Sequence, residues 1–198
     1  MNGEKRLLLV ILVLICAGCS HIDGYVDIMR EKGLSKEYID SLRTWTRSQI
    51  VYSEFETRAH IRVTYQGSEF KKAYIDEYAR VYHLSDAEKK IREEAQRSVA
   101  AEFTEFFFYA YTPEKESNDF SRERSIWTVY LMDDSGGRLD PVEIRKIDPV
   151  TPVITAFYPY INPAYGFCYS LKFFPLSKEK PFKLIFTSVI AKVELDWN

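Results

Sequence analysis

Proline is spread so unevenly along this chain that it sets the character of the C-terminal half. Of the eight prolines, all but Pro113 fall at or after Pro141: Pro141, Pro149, Pro152, Pro159, Pro163, Pro175 and Pro181. Proline has no N–H to donate to a ladder and breaks a helix interior, so these residues mark edges and corners. Between them Val153 to Phe157, Tyr165 to Phe174, Phe182 to Ser188 and Ile190 to Trp197 are short, β-branched and aromatic, and each reads as a strand. Just ahead, Ile126 to Met132 and Leu139 to Ile147 flank the turn Asp133-Asp134-Ser135-Gly136-Gly137 and read as a β-hairpin. Short strands with regular turn signals predict an antiparallel sandwich.

The preceding residues follow a different period. Ser35 is a suitable N-cap for a helix to about Gln49 that buries Tyr38, Leu42 and Trp45, with Arg43 and Arg47 directed to solvent or to carboxylates. Ala59, Ile61, Val63 and Tyr65 alternate with His60, Arg62 and Thr64, which is a strand with one wet face. After Gln66-Gly67-Ser68, the residues Phe70, Tyr74, Tyr78 and Val81 recur at helical spacing. Ser85-Asp86-Ala87-Glu88 is a capping box that opens a second helix, with Ile91, Ala95 and Val99 expected inward. Phe103 to Thr112 is aromatic enough to be a strand. The expected fold is therefore α+β: an antiparallel β-sandwich with an N-terminal helix and a helical hairpin inserted at about 67–101.

At the N-terminus, Lys5 and Arg6 lead into the apolar run Leu7 to Ala17, which closes on Gly18, Cys19 and Ser20. A basic start, an apolar core too short to span comfortably and a small-residue exit are the marks of a secretory signal. Ala17-Gly18-Cys19 resembles the lipobox of bacterial lipoproteins, with Cys16 standing where that family usually carries leucine. The resemblance implies acylation of Cys19 and cleavage in front of it. An ordinary signal cut elsewhere, or an uncleaved anchor, are the alternatives. On this reading residues 1–18 are signal, 19–34 are tether, and 35–198 form one sandwich domain. Ser20 resembles the residues that send such proteins to the outer membrane, facing the periplasm, rather than the inner one. The strand pattern from Ser125 onward resembles immunoglobulin-like sandwiches and secreted lipoproteins of uncharacterised role.

Composition bounds the partners. The net charge of −2 offers no basic field for nucleic acid. Once Cys16 leaves and Cys19 is acylated, Cys168 is the remaining thiol, and its strand-like surroundings suit a small packed residue. The histidines available as a base are His60 and His83, since His21 falls in the tether. There is no Gly-x-Ser-x-Gly elbow, zinc-spaced histidine pair or phosphate loop. Glu93, Glu94, Glu102 and Glu105 read as the solvated face of a charged helix, matched by Lys89, Lys90, Arg92 and Arg97. Asp133 to Gly137 could offer oxygens to calcium but lacks a downstream bidentate glutamate, and aspartate and glycine also suit a tight turn. No catalytic residue, metal or cofactor is expected.

One stretch has the makings of a binding surface. In Phe157-Tyr158-Pro159-Tyr160-Ile161-Asn162-Pro163-Ala164-Tyr165, prolines stiffen a loop that would display Tyr158, Tyr160 and Tyr165 to a glycan, a small ligand or a protein. The competing reading folds these rings back over a sheet edge. The function expected is a non-enzymatic envelope protein with an interaction or scaffold role, held at the membrane by its lipid. The alternative is a glycan- or small-ligand-binding lipoprotein using Tyr158 to Tyr165.

Overall fold

The computed structural model of the chain describes residues 33–133, 136–176 and 181–197. The signal, Cys19 and the tether as far as residue 32 lie outside the described residues, as do residues 134–135 of the turn.

The described residues form an α+β sandwich of two antiparallel sheets with helices against one outer face. In chain order they are α1 (Lys36–Trp45), β1 (Thr46–Ser53), β2 (Glu56–Tyr65), α2 (Ser68–Tyr82), α3 (Asp86–Glu102), β3 (Thr104–Tyr111), β4 (Thr128–Asp133), β5 (Arg138–Leu139), β6 (Glu143–Ile147), α4 (Pro152–Phe157), β7 (Phe167–Phe173), β8 (Phe182–Thr187) and β9 (Lys192–Trp197). One sheet has the order β1-β2-β3-β7-β6, the other β5-β4-β8-β9.

The layers explain the aromatic run that defines β3. Phe106 and Phe108 point between the sheets, where they join Ile61, Leu171, Phe186 and Leu195. Phe107 and Tyr109 point the other way, into a second core with Tyr38, Leu42, Phe70 and Phe157. A strand buried on both faces needs no polar alternation, which is why its sequence is continuously apolar. Its neighbour β2 turns Ala59, Ile61 and Val63 inward and leaves His60 and Arg62 half-buried.

Several sequence expectations change in detail. The first helix stops at Trp45, and Thr46–Ser53 is an edge strand paired with β2 from Thr46↔Thr64 to Ser53↔Glu56. Arg47 therefore extends from a strand. Its Nε donates to the Asp196 carbonyl at 2.8 Å and its guanidinium lies 5.6 Å from the Trp197 ring, fastening β1 to β9. The hairpin after β4 is brief: Leu131↔Leu139 and Met132↔Arg138 pair, and the chain then leaves for the other sheet, where β6 lies against β7. Pro141, which cannot donate to a ladder, stands at that departure. Val153 to Phe157 is helical rather than extended. Thr151 Oγ1 accepts from Ile154 N at 3.4 Å and Pro152 occupies the first turn, two helix-start signals that override three β-branched residues.

The helical hairpin lies where expected, between β2 and β3. The Ser85–Glu88 capping box is closed in both directions. The face of α3 is not the one expected, however. Lys89, Glu93, Gln96 and Ala100 are half-buried, and the Lys89 ammonium pairs with Asp76 of α2 at 2.6 Å. Ile91, Ala95 and Val99 are exposed, and α3 has no fully buried residue. Glu105 belongs to β3, not to a charged helix, and its carboxylate accepts from the nearly buried Lys71 ammonium at 2.6 Å.

Candidate functional site

The loop from Tyr158 to Tyr165 covers the outer face of the five-stranded sheet. Tyr158 stacks on Phe107 with ring centroids 4.2 Å apart and is 6 % exposed. Its hydroxyl accepts from Gln66 Nε2 at 3.3 Å. Tyr160 is half-buried, its hydroxyl 2.8 Å from Thr64 Oγ1, which in turn lies 2.7 Å from Thr46 Oγ1. Burial holds both phenols above their ordinary pKa, so both stay neutral. The picture of a loop displaying three tyrosines is thus corrected. An apolar sheet face with Phe107, Tyr109 and Cys168 on it draws the rings inward, and only Tyr165 of the three, at 64 % exposure, faces solvent.

Tyr165 is held on a firm turn. Asn162 accepts at its carbonyl from Tyr165 N at 3.1 Å, from Gly166 N at 3.2 Å and from the Tyr109 hydroxyl at 3.1 Å. Gly166 is required by close approach: a Cβ there would lie 2.4 Å from the Ala110 carbonyl oxygen. The sequence shows the prolines and tyrosines of this loop but not the glycine's neighbour across the sheet.

Beside Tyr160, the outer face of β1 and β2 gathers the polar groups Ser48, His60 and Arg62. Ser48 Oγ lies 3.0 Å from His60 Nε2, and Arg62 Nε donates to the same nitrogen at 3.2 Å. Burial first, and then the Arg62 charge, lower the His60 pKa to about 4. The imidazole is neutral at pH 7 with its lone pair engaged by Arg62, and among the described residues no carboxylate hydrogen-bonds the ring. A serine–histidine contact of this kind does not activate the serine, because the nitrogen that would take the proton already accepts a hydrogen bond from Arg62. Because the folded pKa lies below the unfolded value of about 6.5, the unfolded chain takes up the proton first. His60 thus contributes its full stability above pH 6.5 and loses it as the pH falls toward 4. His60→Gln is expected to flatten that part of the stability profile, as read by urea titrations at pH 7, 5 and 4. An unchanged slope would mean that the proton is taken up elsewhere.

The other sequence candidates have plain placements. Cys168 is buried in the helix-side core, and burial pushes its thiol up to about 12, so it packs as a small apolar residue. His83 is the exposed left-handed C-cap of α2. At the β4–β5 turn, Asp133 accepts from Gly137 N through Oδ1 at 2.7 Å and from Gly136 N through its carbonyl at 3.1 Å, while Gly136 takes φ +82°. That carboxylate is used by the turn's own backbone.

Sequence reasoning missed one surface. At the β1–β2 tip, Glu54 adopts a left-handed φ of 55° and Phe55 is wholly exposed; Tyr52 and Ile50 lie exposed on the same hairpin. The signal lies in Ile50-Val51-Tyr52, an apolar, β-branched and aromatic run just past the expected end of the first helix.

No known protein family and no curated protein matches the chain. Among solved structures, a "novel protein of unknown function" from Burkholderia pseudomallei K96243 is similar over 89 % of this chain and 88 % of its own, at 10 % identity and a TM-score of 0.44.

Proposed function

We propose that the protein is a non-enzymatic, lipid-anchored component of the bacterial cell envelope with an interaction or scaffold role, at the outer membrane facing the periplasm. The observation that carries this reading is the N-terminal series Lys5-Arg6, Leu7 to Ala17 and Gly18-Cys19-Ser20, with Cys19 as the acylated residue. The exposed aromatic tip of β1–β2 supports the interaction role, since flat rings on a short, well-paired hairpin lose little freedom on contact with a partner. Among the described residues no helix is long and apolar enough to cross a membrane.

A second reading, a glycan-binding lipoprotein, keeps Tyr165 as its exposed ring on the turn held by Asn162. One experiment addresses both. Wild-type protein is expected in the membrane fraction with an acylated Cys19 peptide, and Cys19→Ala in the soluble fraction. Crosslinking in cells from photoreactive residues placed separately at positions 55 and 165 is expected to recover one dominant envelope protein from position 55, lost in Cys19→Ala. Recovery of peptidoglycan fragments from position 165 instead would favour the glycan reading, and a Cys19→Ala protein that stays with membranes would overturn the anchor.

A further inference from the structure

We infer that the loop end of the α2–α3 hairpin, with Val81, Tyr82 and Ile91, seats in the headgroup layer of the membrane to which the chain is tethered. The inference rests on the lipid-anchor reading and adds to it an orientation and a contact surface.

A helix of this length draws most of its stability from packing an apolar face, yet α3 buries no residue completely. Its half-buried positions are Lys89, Glu93, Gln96 and Ala100; Ala95 and Val99 border a shallow groove with Tyr74 and Tyr78 of α2, and Ile91 is left to solvent. Ile91 is 66 % exposed, and at the same end of the hairpin Tyr82 is 45 % and Val81 39 % exposed. Tyr82 is not loose: it packs on Tyr78 at 4.3 Å, and Arg92 lies over the other ring of that pair at 4.5 Å. Tyr82 is thus a held ring at the loop end of the hairpin with its phenol toward solvent, accompanied by the exposed Val81 and Ile91, the residue types that favour a bilayer interface.

The tether identifies the occupant. Arg80, the residue before Val81, donates from a guanidinium nitrogen to the Gly33 carbonyl at 2.8 Å, so the chain joins the fold beside this patch. Cys19 precedes Gly33 by fourteen residues, a reach of roughly 50 Å at full extension. The acyl chains therefore keep the point where the chain enters the fold within roughly 50 Å of lipid, nearer on average than the ends of the sheets away from it. Charge around the patch is mixed: Lys90 and Arg92 flank Ile91, Glu88 is taken up by its capping box, and Asp86 and Glu94 are near in sequence. Apolar contact rather than a basic field carries the docking.

The test uses the full lipidated protein on vesicles of phosphatidylethanolamine and phosphatidylglycerol. Ile91→Cys and Val189→Cys are each labelled with an environment-sensitive fluorophore; Cys168 is buried and is passed over by the reagent. Val189 is exposed in the loop between β8 and β9, in the sheet farthest from the helices. Brominated lipid chains are expected to quench the probe at 91 roughly twofold or more beyond that at 189, and Tyr82→Asp should reduce the difference. Equal quenching at both positions in protein that floats with the vesicles overturns the docking while the anchor stands. Protein that does not float removes the anchor and the docking together. A blue shift at 91 that follows protein concentration and ignores bromine makes a second copy the occupant and also overturns the proposal.

Discussion

Tyr158→Ala is expected to lower the unfolding free energy by about 3–5 kcal/mol, the range for deleting a large buried aromatic ring. The ring stacks on Phe107 and lies within reach of Phe70, Tyr74 and Tyr160, so its removal opens a hole under the helical layer. Urea denaturation measures this directly. The result also separates the two readings of the loop. A displayed ring could be truncated with little change in stability, and a variant as stable as wild type would show that Tyr158 is not core.

Lys71→Met is expected to cost about 3–5 kcal/mol, because it leaves a largely buried carboxylate without its partner. Lys71 and Glu105 are 8 % and 17 % exposed in their side chains, with Nζ and Oε2 2.6 Å apart between α2 and β3. The same reasoning predicts that Lys71→Met combined with Glu105→Leu recovers most of the loss, since an apolar pair of similar volume has no charge to desolvate. Denaturation midpoints of the three proteins decide this. A double variant no better than Lys71→Met would mean that the lysine's packing, not the unpaired charge, accounts for the loss. A related tie joins α1 to α2: burial alone would raise the Glu77 carboxyl, but hydrogen bonds from Arg80 and the Ser35 amide outweigh it and hold it below its ordinary value.

The elements that were legible in the sequence are those whose signals are local. The Ser35 and Ser85 caps, the alternation from Ala59 to Tyr65 and the spacing of Phe70, Tyr74 and Tyr78 each name their structure without reference to anything distant. What stayed hidden depends on which surface covers which. Nothing in Thr46 to Ser53 stops a helix; β2 claims that segment through eight paired positions. Likewise Ile91, Ala95 and Val99 have core spacing, but the half-buried positions of α3 are those that share a side with Lys89, whose ammonium pairs with Asp76. Whether Tyr158 points out or in was undecidable from its own loop, because the answer lies on Phe107, fifty-one residues earlier.

The double burial of β3 leaves that strand unable to choose its own frame. Ordinarily a one-residue slip carries apolar side chains into water and is rejected on that ground. Here a slip would merely exchange Phe106 and Phe108 for Phe107 and Tyr109, rings of nearly equal size moving from one dry layer to another. The penalty has to come from the flanks. β2 fixes it through Val63↔Phe108, with wet and dry sides that cannot be swapped, and the Ala110 carbonyl fixes it again by resting where Gly166 has no side chain. A strand buried on both faces is thus aligned by its half-polar neighbour and by an absent methyl group.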